Sequence, residues 1–112
     1  VIAFTDELAR VLEEEDVTVN SLHPGVIATK LLRAYTSDEG AAPPERGAEV
    51  EVYLATSPDT GTESGGYFEE SRWTRPSPLA LDPAVRQRFW EVGLNLTGIE
   101  EWSGERADVR RA

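Results

Sequence analysis

Val17-Thr18-Val19-Asn20-Ser21-Leu22-His23-Pro24-Gly25-Val26-Ile27-Ala28-Thr29 decides how this chain is read. Residues 17–22 are short, apolar and β-branched, which favours a strand. Pro24-Gly25 ends it in a tight turn. A threonine follows four residues beyond the glycine. In α/β proteins ligands dock at the carboxyl ends of strands. A strand, a close turn and a hydroxyl in this order suit the edge of such a site.

The helical period frames this segment on both sides. Val1, Phe4, Leu8, Val11 and Leu12 recur at helical spacing, so residues 1–15 are expected to form an amphipathic helix. No N-cap residue precedes it, and Glu13, Glu14 and Glu15 face the wrong end of its dipole. Thr29 is placed to cap a short helix through Lys30–Ala34. Residues 35–44 hold turn chemistry and read equally as a mobile lid or a plain surface connection.

A second long helix is expected from Pro44 to Thr56, with Ala48, Val52, Tyr53, Leu54 and Ala55 on its inner face. Gly66-Tyr67-Phe68 reads as a strand leading out through Glu69-Glu70-Ser71. Asp82-Pro83 starts a last helix to about Leu96, carrying Val85, Phe89, Trp90 and Val92, with Gly98 as its C-cap. From residue 100 the chain is charged, and 100–112 is expected to be a flexible tail. Strands alternating with helices give an α/β class with parallel pairing. Two short strands do not make a stable covered sheet alone. The expectation is therefore part of a larger sheet.

Composition removes several function classes. With 112 residues there is room for one small domain. The formal net charge of −10 argues against nucleic acid and anionic membrane surfaces as partners. There is no cysteine and one histidine, His23, so no Cys- or His-based metal site is expected. No run approaches the ~20 apolar residues of a membrane span, and no secretory signal is visible, so the expected location is cytoplasmic. Asn95-Leu96-Thr97 is then a chance sequon. The missing methionine and missing helix cap together suggest a piece of a longer protein.

Four ordered pieces carry a family resemblance: Phe4-Thr5-Asp6-Glu7-Leu8-Ala9-Arg10; Val17 to Gly25 with Thr29; Gly47-Ala48-Glu49 through Tyr53-Leu54-Ala55; and Ser64-Gly65-Gly66-Tyr67-Phe68 with Pro76-Ser77-Pro78 and Trp90. Together they resemble, over residues 1–99, the C-terminal part of a short-chain dehydrogenase/reductase of the retinol-dehydrogenase-like branch. The resemblance implies part of a Rossmann-like, doubly wound parallel sheet without its N-terminal half. It implies NAD or NADP as cofactor, leaning to NADP, and a small carbonyl or alcohol substrate. It implies that Pro24 and Gly25 close over the nicotinamide, and that the Ile27 backbone and the Thr29 hydroxyl hold its carboxamide. Leu31, Leu32 and Tyr35 would line the substrate side, or serve as packing residues. The first helix corresponds to one that packs between subunits, so a homo-oligomeric parent is expected.

The departures matter as much. No Gly-x-x-x-Gly-x-Gly loop occurs, and neither Tyr53 nor Tyr67 is followed by lysine four residues later. The family's catalytic Ser, Tyr and Lys fall upstream of the matched region, so no catalytic residue is expected here and the chain alone should be inactive. Thr29 remains either a cofactor contact or a simple N-cap, roles that can coexist. His23 reads as a structural residue before the turn rather than a general base, since no partner is placed for it. The other class of function left open is a non-catalytic, stand-alone protein that acts by interaction, through a strand edge and the first helix.

Overall fold

The computed structural model describes residues 1–100. Nearly all of the tail expected at 100–112 lies outside the described residues. The element order is α1 (Ile2–Val11), β1 (Ser21–His23), α2 (Lys30–Arg33), α3 (Pro44–Thr56), a 3-10 turn (Pro58–Thr60), β2 (Tyr67–Glu69), β3 (Arg72–Trp73), α4 (Pro78–Leu81) and α5 (Pro83–Thr97).

The sheet has three strands in the order β1-β2-β3. β1 and β2 are parallel, with Ser21 opposite Tyr67, Leu22 opposite Phe68 and His23 opposite Glu69. β2 and β3 are antiparallel. The sheet is therefore mixed, which corrects the expectation of parallel strands alone. The cause is the two-residue hairpin turn Glu70-Ser71, with φ of 47° and 65°. Positive φ at both central residues gives the twist that joins two antiparallel strands tightly.

β1 also starts later than expected. Val19 and Asn20 are engaged by the loop before β2, not by a ladder. Gly65 N–H donates to the Val19 carbonyl at 2.7 Å. The Val19 N–H donates to Ser64 Oγ at 3.1 Å. The Asn20 amide spans the gap: Nδ2 donates to the Glu63 carbonyl at 2.8 Å, and Oδ1 accepts from Gly66 N–H at 3.0 Å. Gly66 is buried, and a Cβ there would stand 3.0 Å from the Phe68 ring. Only glycine lets the strand and the loop meet this closely.

α1 stops at Val11 rather than residue 15, and residues 12–16 form turns. Three glutamates at its negative end oppose continuation. α2 and α5 begin as their caps predict: Thr29 Oγ1 accepts from Leu32 N–H at 3.2 Å, and Asp82 Oδ1 from Ala84 N–H at 2.9 Å. Gly98 ends α5 in the left-handed region with φ 72°. α4, with Ser77 as its cap, was not anticipated, because Pro76 and Pro78 obscured so short a helix.

The inner faces depart from the apolar stripes. On α3 the buried residues are Gly47 and Val50, while Ala48, Val52 and Ala55 are exposed. On α5 the buried residue is Arg86. Its Nε donates to Glu7 Oε2 at 2.5 Å and its Nη1 to Asp6 Oδ2 at 2.8 Å, which ties α5 to α1. Beside this bridge Phe4 and Trp90 stack with ring centroids 5.6 Å apart. Burial pushes the Arg86 guanidinium down, but the hydrogen bonds and charges of Asp6 and Glu7 outweigh it, so it stays charged and net raised. A raised folded-state value means the contribution is full below the ordinary arginine range and is lost only on passing above it. Among the described residues the buried apolar core is Ala3, Val50 and Phe68.

Two substitutions test this account. Arg86→Ala removes the cation from Glu7 and leaves Asp6 with only the longer Arg10 pair at 3.7 Å, and is expected to cost about 2–3 kcal/mol. Asn20→Ala leaves the buried Gly66 N–H unpaired and is expected to cost about 2 kcal/mol. Urea unfolding midpoints measure both, and a loss under 0.5 kcal/mol (about the scatter of surface substitutions) would contradict the assigned role.

Candidate functional site

The site is built where β1 ends. His23 leads into Pro24, and Gly25 takes φ 94°, a conformation that suits glycine alone. The Gly25 N–H donates to His23 Nδ1 at 3.0 Å, so the imidazole holds the turn closed. This bears out the reading of His23 as structural. The neighbouring carboxylate across the ladder, Glu69, accepts from Tyr67 Oη at 2.8 Å. That bond, then burial and the Glu69 charge, raise the Tyr67 phenol above its ordinary value.

Beyond the turn, residues 26–28 run beside Ala42. The Ala42 N–H donates to the Val26 carbonyl at 2.9 Å, and the Ala28 N–H donates to the Ala42 carbonyl at 2.8 Å. These are the bonds of a parallel bridge between Ile27 and Ala42. In such a bridge the flanking residues make the bonds, and the central residue turns its own N–H and C=O to the other edge. Ile27 thus keeps an N–H donor and a C=O acceptor with no partner among the described residues. Its side chain is anchored on α3: a Cβ on Gly47 would lie 3.1 Å from Ile27 Cγ1.

A cleft of about 360 Å³ lies along this turn. Pro24, Gly25, Val26 and Ile27 form one wall, with Gly40, Ala42, Val50, Arg46, Glu49, Glu70 and Ser71 around the rest. The structure thus brings three of the four expected cofactor residues to one cleft. Thr29 lies outside its lining. Its Oγ1 accepts the α2 cap bond, and its hydroxyl hydrogen stays available as a donor. Leu31, Leu32 and Tyr35 also lie outside the cleft. Leu31 and Tyr35 are 69% and 83% exposed, so neither acts as a packing residue within the described chain.

After α2, Arg33 Nη1 bridges to Asp38 Oδ2 at 2.9 Å, and Ala42 closes the segment through the bridge to Ile27. Sequence reading missed the far wall of the cleft. Arg46 and Glu49 form an i,i+3 ion pair, which reads as an ordinary helix surface pair. Glu70 and Ser71 reach the cleft only because of a hairpin that their residue types do not signal. Among the described residues no group of three or more His, Cys, Asp or Glu could hold a metal, and no helix is long and apolar enough to cross a membrane.

No family model matches the chain. Curated proteins do. Retinol dehydrogenase 14 of Mus musculus is 38% identical over 110 residues, covering 88% of this chain and 33% of that protein. Retinol dehydrogenase 13 of Homo sapiens is 35% identical over 115 residues, covering 89% and 34%. The chloroplastic short-chain dehydrogenase TIC 32 A of Brassica napus is 32% identical over 105 residues, covering 82% and 32%. The chain spans about a third of the length of these relatives.

Two changes probe the site's construction. Thr29→Ala removes the α2 cap and is expected to cost about 1 kcal/mol. Gly47→Ala should be near neutral in stability, since about 1 kcal/mol of helix propensity offsets the crowding. It should nonetheless shift the Ile27 and Ala28 amide resonances. Gly47→Val cannot be absorbed that way and is expected to cost about 2 kcal/mol. Urea unfolding and ¹⁵N spectra of the three variants distinguish these outcomes.

Proposed function

We propose, for a chain that belongs to the short-chain dehydrogenase/reductase family in its retinol-dehydrogenase-like branch, that the protein carrying it is an NAD(P)-dependent oxidoreductase acting on a carbonyl or alcohol carbon. In this reading the chain supplies the nicotinamide side of the site. The observation that carries it is the free edge of Ile27. A primary carboxamide offers two N–H donors and one acceptor oxygen. The Ile27 N–H and C=O answer both kinds of group, and the Thr29 hydroxyl adds a donor two residues on. Pro24 and Gly25 put no bulky side chain between this backbone and a flat ring.

The bound nicotinamide would supply the hydride. This chain's own work is to orient the ring and to screen it. Ile27 would hold the carboxamide through its N–H and C=O, and so set the rotation of the ring. Its side chain, set against Gly47, stops that backbone from drifting. Leu31 and Tyr35 present uncovered apolar surface, with Leu32 half-buried between them, which suits the apolar part of a substrate. The proton-transfer groups expected of the family are not among these residues. The parent is read as a homo-oligomer, with α1 near the subunit contact.

Titration of the ¹⁵N-labelled chain with nicotinamide itself tests this reading. Millimolar affinity is expected, with the largest shifts from Gly25 to Thr29. Thr29→Val should weaken binding about threefold or more, as loss of one hydrogen bond implies. Shifts confined to other regions, or none up to solubility, would refute the site. Micromolar binding of NADPH by the isolated chain, or turnover, would refute the assignment of only half a pocket to it.

A further inference from the structure

We propose that His23 is a proton-operated latch on the Pro24-Gly25 turn. Its regulatory meaning rests on the functional reading above, but the latch itself stands on three observations. The first is that His23 Nδ1 accepts the Gly25 N–H at 3.0 Å. An imidazole nitrogen can accept only when it carries no proton. Gly25 N–H has no other acceptor among the described residues.

The second is the place of the bond. It closes over the glycine whose φ of 94° sets the direction of residues 26–28. Immediately after it the chain pairs with Ala42 on one edge and leaves Ile27 open on the other. A change at Gly25 is thus passed to Ile27, whose N–H and C=O have no partner among the described residues.

The third is what waits for a protonated ring. His23 is exposed and sits opposite Glu69 in the β1–β2 register. Glu69 now holds the Tyr67 hydroxyl, and Arg72 stands across from it on β3. These are the groups that neighbouring strands place around His23, and the cleft at the turn adds Glu70 from the hairpin and the Arg46–Glu49 ion pair from α3. Glu69 attracts an imidazolium, while Arg72 opposes it from one strand further away. A proton taken up at Nδ1 turns it from acceptor into donor. The ring then repels the Gly25 N–H and is drawn to the Glu69 carboxylate. The turn opens, and Ile27 loses its fixed presentation at acid pH.

The test compares hydrogen exchange of the Gly25 amide in three full-length chains without ligand, by ¹⁵N NMR. In His23→Asn a side-chain oxygen accepts the i+2 N–H without titrating. In His23→Ala nothing does. Relative to His23→Asn at the same pH, the wild type should exchange equally at pH 8 and about three- to tenfold faster at pH 5. His23→Ala should be fast at both. Wild type matching His23→Asn throughout, or Gly25 not following the His23 ring resonances, would overturn the latch. A nicotinamide titration at pH 8 and 5 then separates the two claims. A latch that titrates in a chain that does not bind nicotinamide refutes the functional reading alone. Nicotinamide bound with His23→Asn-like exchange refutes the latch alone.

Discussion

The parallel pairing of β1 with β2 is the contact on which the rest depends. It joins segments more than forty residues apart, and nothing local holds them together. The Asn20 amide makes the joint specific. It both donates to and accepts from the loop before β2, so it stitches backbone to backbone where no ladder bond exists. Ser21 N–H donating to the Gly66 carbonyl at 3.0 Å starts the ladder from this point. Once β1 is fixed, the turn after it has one direction. Loop 35–44 then returns to Ile27, and α3 settles on the Ile27 side chain through Gly47.

Much of this was legible because local chemistry dictated it. Thr29 and Asp82 are cap residues, Pro44 and Pro83 suit first turns, and Gly98 is a left-handed terminator. The turn at Pro24-Gly25 was legible because Pro-Gly ends a β-branched run, whether or not a ligand meets it. What stayed hidden came from pairing at a distance. Glu70-Ser71 adopts a conformation that Asn-Gly would signal, so β3 could not be anticipated. Val17–Asn20 has strand composition, but the loop at 63–66 claims the polar groups of Val19 and Asn20. The far wall of the cleft became visible only when α3 and the hairpin were brought to the turn.

The helix faces teach a different lesson. Periodicity finds apolar stripes, but a stripe is buried only if something covers it. Phe89 and Val52 stay 63% and 58% exposed, while Arg86 is buried. The contact between α1 and α5 is thus made by a guanidinium and two carboxylates beside one aromatic stack. Ionic contacts of this kind add little net stability over apolar ones, but they accept only one register. A helix pair held this way is oriented more firmly than it is stabilised.

The bridge between Ile27 and Ala42 has a consequence for how this chain tolerates change. The open groups at Ile27 are main-chain groups, and every residue except proline offers the same pair. In the proposed function, a flat amide lying there would stand in for the next strand of a sheet. Hydrogen bonds on the two edges of one peptide unit polarise each other in the same sense. Side chains at position 27 are therefore free to vary with the packing against α3, while the polar groups on the other edge stay constant. The scaffold under this turn can be retuned without changing the main-chain groups that the turn presents.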